Sequence, residues 1–235
     1  ENGQLQALLE LAGIPYTGSN SLASALGMNK YQSKILFREA GVPIPETYKI
    51  DSPVSLSQKA LQELGFPLVI KPNDQGSTVG LTIVMEKSQI EKAIELAFGY
   101  SKTVLAEKFI PGREVTVAIL ADQALPVIEI IPEHGIYDYE CKYQKGKSDY
   151  IVPAEISDQI TGILQDLAIK SFHALGCRHY ARVDFRLTDQ ENPFCLEVNT
   201  LPGMTSTSLV PKAARAVGID FPQLVDRIIR LAVKE

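Results

Sequence analysis

Short apolar segments alternate with helix-like segments along most of this 235-residue chain, and no other feature limits its possible folds as strongly. Glycines such as Gly41 and Gly65 stand where helices are expected to end. The pattern predicts helices at residues 3–12, 21–28, 31–40, 56–64, 88–97 (with Ser88 as N-cap), 156–175, 208–216 and 221–233. It predicts strands at residues 47–50, 68–71, 81–85, 103–110, 114–120, 125–131, 180–187 and 194–199. Such an order predicts an α+β or α/β fold with mixed sheets.

Charge and cysteine content narrow the class of protein. The 23 Lys and Arg against 28 Asp and Glu give a net charge of −5 with no long run of one sign, which does not favour nucleic acid as a partner. Three cysteines without C-x-x-C spacing indicate a reduced, cytoplasmic compartment. No apolar stretch has the length of a membrane span, so no membrane is expected. The chain opens in a helical pattern without an initiator Met, so we expect it to begin inside a larger protein.

A polar cluster falls on the two strands predicted at 180–187 and 194–199. Glu197 and Asn199 are two residues apart and share a strand face, and Asp184 on the preceding strand can project beside them. The cluster alternates with the apolar residues Phe185, Leu196 and Val198. Two carboxylates and an amide oxygen suit Mg²⁺. The alternative is a solvated polar strand edge.

A second polar segment, residues 71–80, follows the strand predicted at 68–71. Lys71 ends the strand, and a Gly/Ser/Thr-containing loop follows that could offer backbone N–H groups to phosphates. The order differs from a P-loop, because the lysine comes first and G-K-[ST] is absent. An ordinary surface turn is the alternative.

The segment 107–114, with the sequence E-K-F-I-P-G-R-E, interrupts two predicted strands at Pro111 and Gly112. Such a break can expose the backbone of residues 107–110 to an adenine edge, while Glu114 could accept from ribose hydroxyls. The alternative is a hairpin with a solvated ion pair between Arg113 and Glu114.

Two further features lie near the polar cluster. Arg182 precedes Asp184 by two residues and shares its face, where it could be paired with a carboxylate or stabilise an oxyanion. Residues 203–209 lead into a helix N-terminus, where free N–H groups favour a carboxylate. Ser208 could instead be only an N-cap.

These features occur in an order that resembles the D-alanine–D-alanine ligase family over essentially the whole chain. The matching segments are residues 1–3, 11–18, 23–30, 69–72, 76–80, 137–143, 181–184 and 197–203. Two mild departures are Asn29, where the family has Asp, and Thr78, where it has Ser.

The resemblance implies an ATP-grasp fold of class α+β, in which two α+β units hold the nucleotide between them. It implies a division into residues 1–21, the end of an N-terminal domain, residues 22–117, the central unit, and residues 118–235, the C-terminal unit. The implied nucleotide contacts are Lys30, Lys71 and Lys142 to phosphates, Glu107 and Ile110 to adenine, and Glu114 to ribose. The implied ligands of two Mg²⁺, which Mn²⁺ could replace, are Asp184, Glu197 and Asn199.

The chemistry implied by the resemblance is the joining of two D-alanines through an acyl phosphate, for peptidoglycan synthesis in the cytoplasm. ATP phosphorylates the first carboxylate, since a carboxylate anion is a poor electrophile, and the second amine then attacks. Arg182 and the Gly203 N–H would stabilise the oxyanion, and Ser208 and Leu209 would meet the second carboxylate. Ser77 and Tyr143 would belong to loops that close over the site.

The resemblance also implies a preceding N-terminal domain and a homodimer in the full-length protein. Three alternatives stay open: a D-alanine–D-lactate ligase, a D-alanine–D-serine ligase, and a nucleotide-binding protein without turnover. Residues 140–143, E-C-K-Y, resemble the D-alanine type.

Overall fold

A computed structural model describes residues 1–52, 56–132 and 148–233. Its helices are α1 (Gln4–Leu11), α2 (Ser21–Met28), α3 (Lys30–Glu39), α4 (Gln58–Leu64), α5 (Ile90–Phe98), α6 (Asp158–Ala174), α7 (Leu209–Ala216) and α8 (Phe221–Val233). Its strands are β1 (Thr47–Ile50), β2 (Leu68–Pro72), β3 (Thr82–Val84), β4 (Val104–Lys108), β5 (Arg113–Leu120), β6 (Gln123–Ala124), β7 (Ile128–Pro132), β8 (Ser148–Ile151), β9 (Tyr180–Leu187) and β10 (Pro193–Asn199). Within the described ranges, no helix is both long and apolar enough to cross a bilayer.

Side-chain caps fix the starts of several helices. Asn20, Ser57 and Ser157 each accept a hydrogen bond from the backbone N–H three residues later, at α2, α4 and α6. The predicted cap at Ser88 is wrong. Its hydroxyl donates to Glu86, and a 3₁₀ turn (Lys87–Gln89) precedes α5.

The first sheet has the strand order β1-β4-β2-β3, with every pairing antiparallel. Helix α5 covers one face with Ile90, Ala93, Ile94 and Ala97, which are buried at the 3–4–7 spacing of one helix face. They pack into a core with Leu68 and other apolar residues of the strands. The opposite face of this sheet is the one that borders the site described below.

The second sheet has the order β10-β9-β5-β7-β8, with β6 paired to β5. All of its described pairings are antiparallel as well, so the expectation of mixed sheets is wrong and the α+β class holds. The strand predicted at 125–131 begins later, as β7 at Ile128, and the short β6 precedes the predicted range. Pro126 lies between them, and proline has no N–H to donate to a sheet ladder.

The two helices that open the chain after α1 pack on the second sheet and not on the first. Ala23 of α2, Phe37 of α3 and Val42 join the core formed by β5, β9 and α6. The domain division implied by the family resemblance places both helices in the central unit, residues 22–117. The division into domains stays a prediction, and the apolar residues of segment 21–45 pack in the core of the second sheet.

The chain passes from the first sheet to the second through Pro111 and Gly112, between β4 and β5. Gly112 has a φ of 117°, and a Cβ there would lie 2.2 Å from the Leu187 carbonyl oxygen of β9. Only glycine allows this approach. The segment between β4 and β5 therefore lies directly against β9, and β4 and β9 border the same cleft.

Candidate functional site

A cleft lies between the two sheets, formed by two adjoining cavities. The first is lined by Lys30, Lys71, Ser77, Glu114, Asp184 and Glu197, among others. The second is lined by Lys71, Glu107, Ile110, Glu114, Arg186 and Leu196, among others. Eight residues singled out in the sequence therefore share one cleft.

Asp184 and Glu197 are directly opposite each other on β9 and β10, and Arg182 is opposite Asn199. The expected juxtaposition of the polar cluster is confirmed. It depends on a β-bulge: Cys195 faces Phe185, but the next paired residue on β10 is Glu197, so that Leu196 is extra.

The bulge also changes the side of Leu196. Strict alternation predicts that Leu196 and Val198 share the core face. In the structure Val198 is buried in the core, whereas Leu196 lines both cavities beside Glu197. The expectation for Leu196 is wrong, because a bulge lets two consecutive side chains point to one side of a sheet.

Three neighbours hold the Asp184 carboxylate by hydrogen bonds. Arg182 donates to both oxygens, each at 2.8 Å, and Asn199 Nδ2 donates to Oδ2 at 2.9 Å. Thr116 Oγ1 of β5 donates to Oδ1 at 2.6 Å. Thr116 escapes sequence analysis, since only the pairing of β5 with β9 brings it opposite Asp184. The network fixes the position of the carboxylate at the cleft.

Lys30, the first residue of α3, provides the counter-charge of Glu197. Its Nζ lies 3.0 Å from Glu197 Oε2 and donates to the Gln75 carbonyl oxygen at 2.7 Å. One ammonium group thereby joins the acidic pair to the loop at 73–80. Each carboxylate of the pair has a cationic neighbour, because Arg182 accompanies Asp184 in the same way.

The donor chemistry of this pair fits a hard cation. Two carboxylates and the Asn199 amide form an oxygen set of the kind that Mg²⁺ takes, with water and phosphate oxygens completing its shell. Among the described residues, no group of three or more His, Cys, Asp or Glu gathers in metal-binding geometry. The set is thus limited to two acidic ligands, which is typical of a metal shared with a phosphate-bearing substrate.

The loop 73–80 borders the cleft in a conformation that is unusual for its residues. Ser77 and Thr78 both have positive φ, at 52° and 63°. Gly80 has a φ of 71°, and a Cβ there would lie 2.7 Å from the Tyr100 ring and 2.8 Å from Pro72. The glycine lets the loop turn tightly back into β3, with Ser77 and Thr78 lining the cavity.

Lys71 and Glu107 lie on adjacent strands, and their ion pair is buried. Lys71 Nζ is 2.9 Å from Glu107 Oε2, and Lys34 Nζ of α3 is 3.2 Å from Oε1. Burial acts to raise the pKa of Glu107, but the two lysines outweigh it and lower that pKa below its ordinary value. Burial lowers the pKa of Lys34, and Glu107 opposes this shift. The sequence gives no sign of Lys34, which lies between two unremarkable helix residues.

Helix α3 links the two sheets through two lysines one turn apart. Lys30 contacts Glu197 of β10, and Lys34 contacts Glu107 of β4. Positions four residues apart lie on one helix face. The helix is packed on the second sheet through Phe37, so Lys34 ties the first sheet to that support.

Arg186 of β9 makes polar contacts with several residues at the end of the cleft formed by the second cavity. Its guanidinium donates to the carbonyl oxygens of Ile110, at 3.1 Å, and Gly112, at 2.6 Å, and lies 3.5 Å from Glu114 Oε2. Arg113 instead pairs with Glu129. The hairpin alternative, with Arg113 paired to Glu114, is therefore wrong: β4 and β5 belong to different sheets, and adjacent residues of β5 point to opposite sides.

The N-terminus of α7 lies beyond the acidic pair. Ser208 makes no side-chain cap bond; its Oγ accepts from the Thr205 N–H at 3.1 Å. A Cβ on Gly203 would be 3.0 Å from that Oγ, so these two predicted residues are neighbours. The side chain of Leu209 is buried in the core, which leaves only its backbone for a ligand. Lys142 and Tyr143 lie outside the described residues.

The chain matches a family described as the D-ala D-ala ligase C-terminus over residues 36–230. A D-alanine–D-alanine ligase from Desulforamulus reducens is 47% identical, over 100% of this chain and 78% of the relative. Another from Pelotomaculum thermopropionicum is 45% identical, over 100% of this chain and 77% of the relative.

Solved structures resemble the fold closely. A Bacillus anthracis D-alanine–D-alanine ligase complexed with ATP superposes with a TM-score of 0.87 at 35% identity, covering 100% of this chain and 75% of that one. The VanG D-Ala:D-Ser ligase of Enterococcus faecalis also gives 0.87, at 36% identity, covering 99% and 69%.

Proposed function

Because the chain belongs to the D-alanine–D-alanine ligase family, we propose that it joins two D-alanines at the expense of ATP. The products are D-alanyl-D-alanine, ADP and phosphate, and the dipeptide serves peptidoglycan precursor synthesis. The observation that carries the proposal is the cleft itself. It brings the cations Lys30 and Lys71 and the acidic pair Asp184 and Glu197 together between two sheets.

The nucleotide is proposed to lie along the cleft. Its triphosphate would face Lys30, Lys71 and the loop 73–80 in the first cavity, with Lys142 added from outside the described residues. The second cavity is bordered by the backbone at Ile110, where adenine would bind, and by Glu114, which would accept from the ribose. The charged residues that line the first cavity suit the triphosphate of ATP. The more apolar lining of the second cavity suits its adenine.

Asp184, Glu197 and Asn199 are proposed to hold two Mg²⁺. Metal ions held by these residues would supply positive charge that offsets the negative charge of the phosphoryl group in transfer. The chain's own contribution is to fix the acidic ligands: Thr116 and Arg182 hold the Asp184 carboxylate in place.

The reaction proceeds through an activated carboxylate. A carboxylate oxygen of the first D-alanine attacks the γ-phosphorus of ATP, which yields an acyl phosphate and ADP. The neutral amine of the second D-alanine attacks the acyl carbon, the amine loses a proton, and phosphate leaves. Arg182 and the Gly203 N–H would stabilise the tetrahedral oxyanion. Ser208 and the Leu209 backbone would orient the second carboxylate. Ser77 and Tyr143 would help exclude water, which would otherwise hydrolyse the acyl phosphate.

A product assay tests this proposal directly. The purified chain is incubated with ATP, Mg²⁺ and D-alanine, and dipeptide and phosphate are measured together. We expect the two products in a 1:1 ratio. ATP binding without dipeptide would identify a nucleotide-binding protein instead.

A D-alanine–D-serine ligase is the second candidate, since the VanG enzyme superposes as well as the D-alanine enzyme does. Competition between D-alanine, D-serine and D-lactate as second substrate separates the possibilities. The curated relatives quoted above favour D-alanine. Preferential formation of D-alanyl-D-serine would transfer the assignment to that group.

A further inference from the structure

Lys34 is a buried ammonium with no part in the chemistry described so far. Its side chain is only 2% exposed. Lys71 lines both cavities and Glu107 lines the second, whereas Lys34 lies behind Glu107 and borders neither. A charged group buried at such a place is costly unless it is paired, and its partner is the Glu107 carboxylate.

The three groups share charge in a definite way. Glu107 is bound by Lys71 through Oε2 and by Lys34 through Oε1, at 2.9 and 3.2 Å. Two positive charges and one negative charge leave one net positive charge. Because Lys71 is the lysine that reaches the cleft, this surplus is presented there. With Lys34 absent, Glu107 would be neutralised by Lys71 alone, and the cluster would have no net charge.

We propose that Lys34 is a positioning residue for the triphosphate of the nucleotide. It binds the Glu107 carboxylate from behind the cleft and thereby leaves the Lys71 ammonium available to phosphate oxygens. The inference rests on the proposed function, from which it takes the phosphate contact of Lys71.

A purely structural Lys34 would have a different signature. Packing or support of the first sheet would affect every ligand of the cleft, including one without phosphates. A charge role acts on the triphosphate and leaves the adenine end largely unchanged. It can also be compensated: removing the charges of Lys34 and Glu107 together leaves Lys71 with one net positive charge, as in the wild type.

The experiment measures dissociation constants for ATP and adenosine by equilibrium dialysis. The variants are Lys34→Met, which keeps the side-chain length, Lys34→Gln, which keeps a donor toward Glu107, and Lys34→Met combined with Glu107→Gln. Lys49→Met is the matched control, since Lys49 pairs with Asp51 away from the cleft. Thermal unfolding of each variant confirms that it is folded.

In both single Lys34 variants we expect ATP binding to weaken about tenfold or more relative to adenosine binding. In the double variant the ratio of the two affinities should return to within about twofold of the wild type. Lys49→Met should leave the ratio unchanged.

Equal weakening of ATP and adenosine, or a double variant no better than Lys34→Met, would overturn the proposal. So would a wild-type ratio in Lys34→Gln, which gives a second decision should the methionine variant fail to fold. Failure of the proposed function is separate. In that case the wild-type chain would release no D-alanine-dependent phosphate, whatever the ratio in the variants.

Discussion

Asp184 of β9 and Glu197 of β10 face each other because Leu196 adds one residue to β10. Cys195 keeps its place opposite Phe185 in the core, and Val198 returns to the core after three residues instead of two. Continued alternation from Cys195 would turn Glu197 inward. The bulge thus keeps both carboxylates on the cleft side and adds an apolar wall next to them.

Glu197→Gln should lower D-alanine-dependent phosphate release by about two orders of magnitude or more while the protein remains folded. The amide is nearly isosteric, but it removes the negative charge that faces Lys30 and that is proposed to bind metal. Steady-state rates with a melting curve check this. Near-normal turnover by the folded variant would remove Glu197 from the metal site.

Lys30→Met should raise the affinity for Mn²⁺ in the absence of nucleotide by about tenfold. The Lys30 ammonium, 3.0 Å from Glu197, repels a divalent cation from the acidic pair, and its loss leaves the pair more negative. Binding is followed by electron paramagnetic resonance of free Mn²⁺. The control adds Glu197→Gln to the same variant and should abolish the gain. Unchanged Mn²⁺ affinity in Lys30→Met would contradict the expectation.

Leu196→Ala should weaken the binding of both adenosine and ATP by about tenfold, since the lost side chain borders both cavities. Equilibrium dialysis with each ligand provides the measurement. A suitable control is Leu201→Ala, because Leu201 is exposed. A selective effect on ATP alone would mean that Leu196 does not border the adenine end.

Glu10 should stabilise the first helices at pH values above the ordinary pKa of its carboxyl group, but not in strong acid. Hydrogen bonds from Ser21 and Tyr16 lower its pKa from 4.5 to about 2. A lowered folded-state pKa gives stability that is present above 4.5 and is lost as the pH falls toward 2. The difference in urea midpoint between wild type and Glu10→Gln should therefore be largest near pH 6 and shrink through that window. A constant difference at all pH values would refute the assignment.

Cys177 and Cys195 should resist alkylation in the folded protein at pH 7.5. Burial raises their pKa values to about 11 and about 12, so that almost no thiolate forms. Peptide mapping by mass spectrometry after a short iodoacetamide pulse, with and without denaturant, provides the comparison. Labelling at equal rates in both conditions would show that the thiols are accessible.

Local signals account for most of what could be predicted. The bounds of α2, β9 and α8 agree with the predicted 21–28, 180–187 and 221–233, because each segment has a clear apolar period and marked ends. The acidic cluster was also predictable, because β9 and β10 are consecutive strands joined by a short turn.

The residues that escaped prediction are supplied by pairings between distant parts of the chain. Thr116 reaches Asp184 only through the β5–β9 pairing, and Lys34 reaches Glu107 only because α3 lies between the sheets. No local period encodes such contacts. The bulge at Leu196 does have a local signal in the sequence. The core residues Cys195 and Val198 are three residues apart, whereas a regular strand would place them an even number apart.

The burial of α2 and α3 against the second sheet has a consequence for synthesis on the ribosome. The first sheet and α5 are complete once residue 108 has emerged, and among the residues that the structure describes their core includes none later in the chain. Segment 21–45 is made earlier still, yet its partners in β9 and β10 end only at residue 199. The nascent chain therefore holds apolar residues such as Phe37 without their final partners for most of elongation, a state that invites chaperone binding.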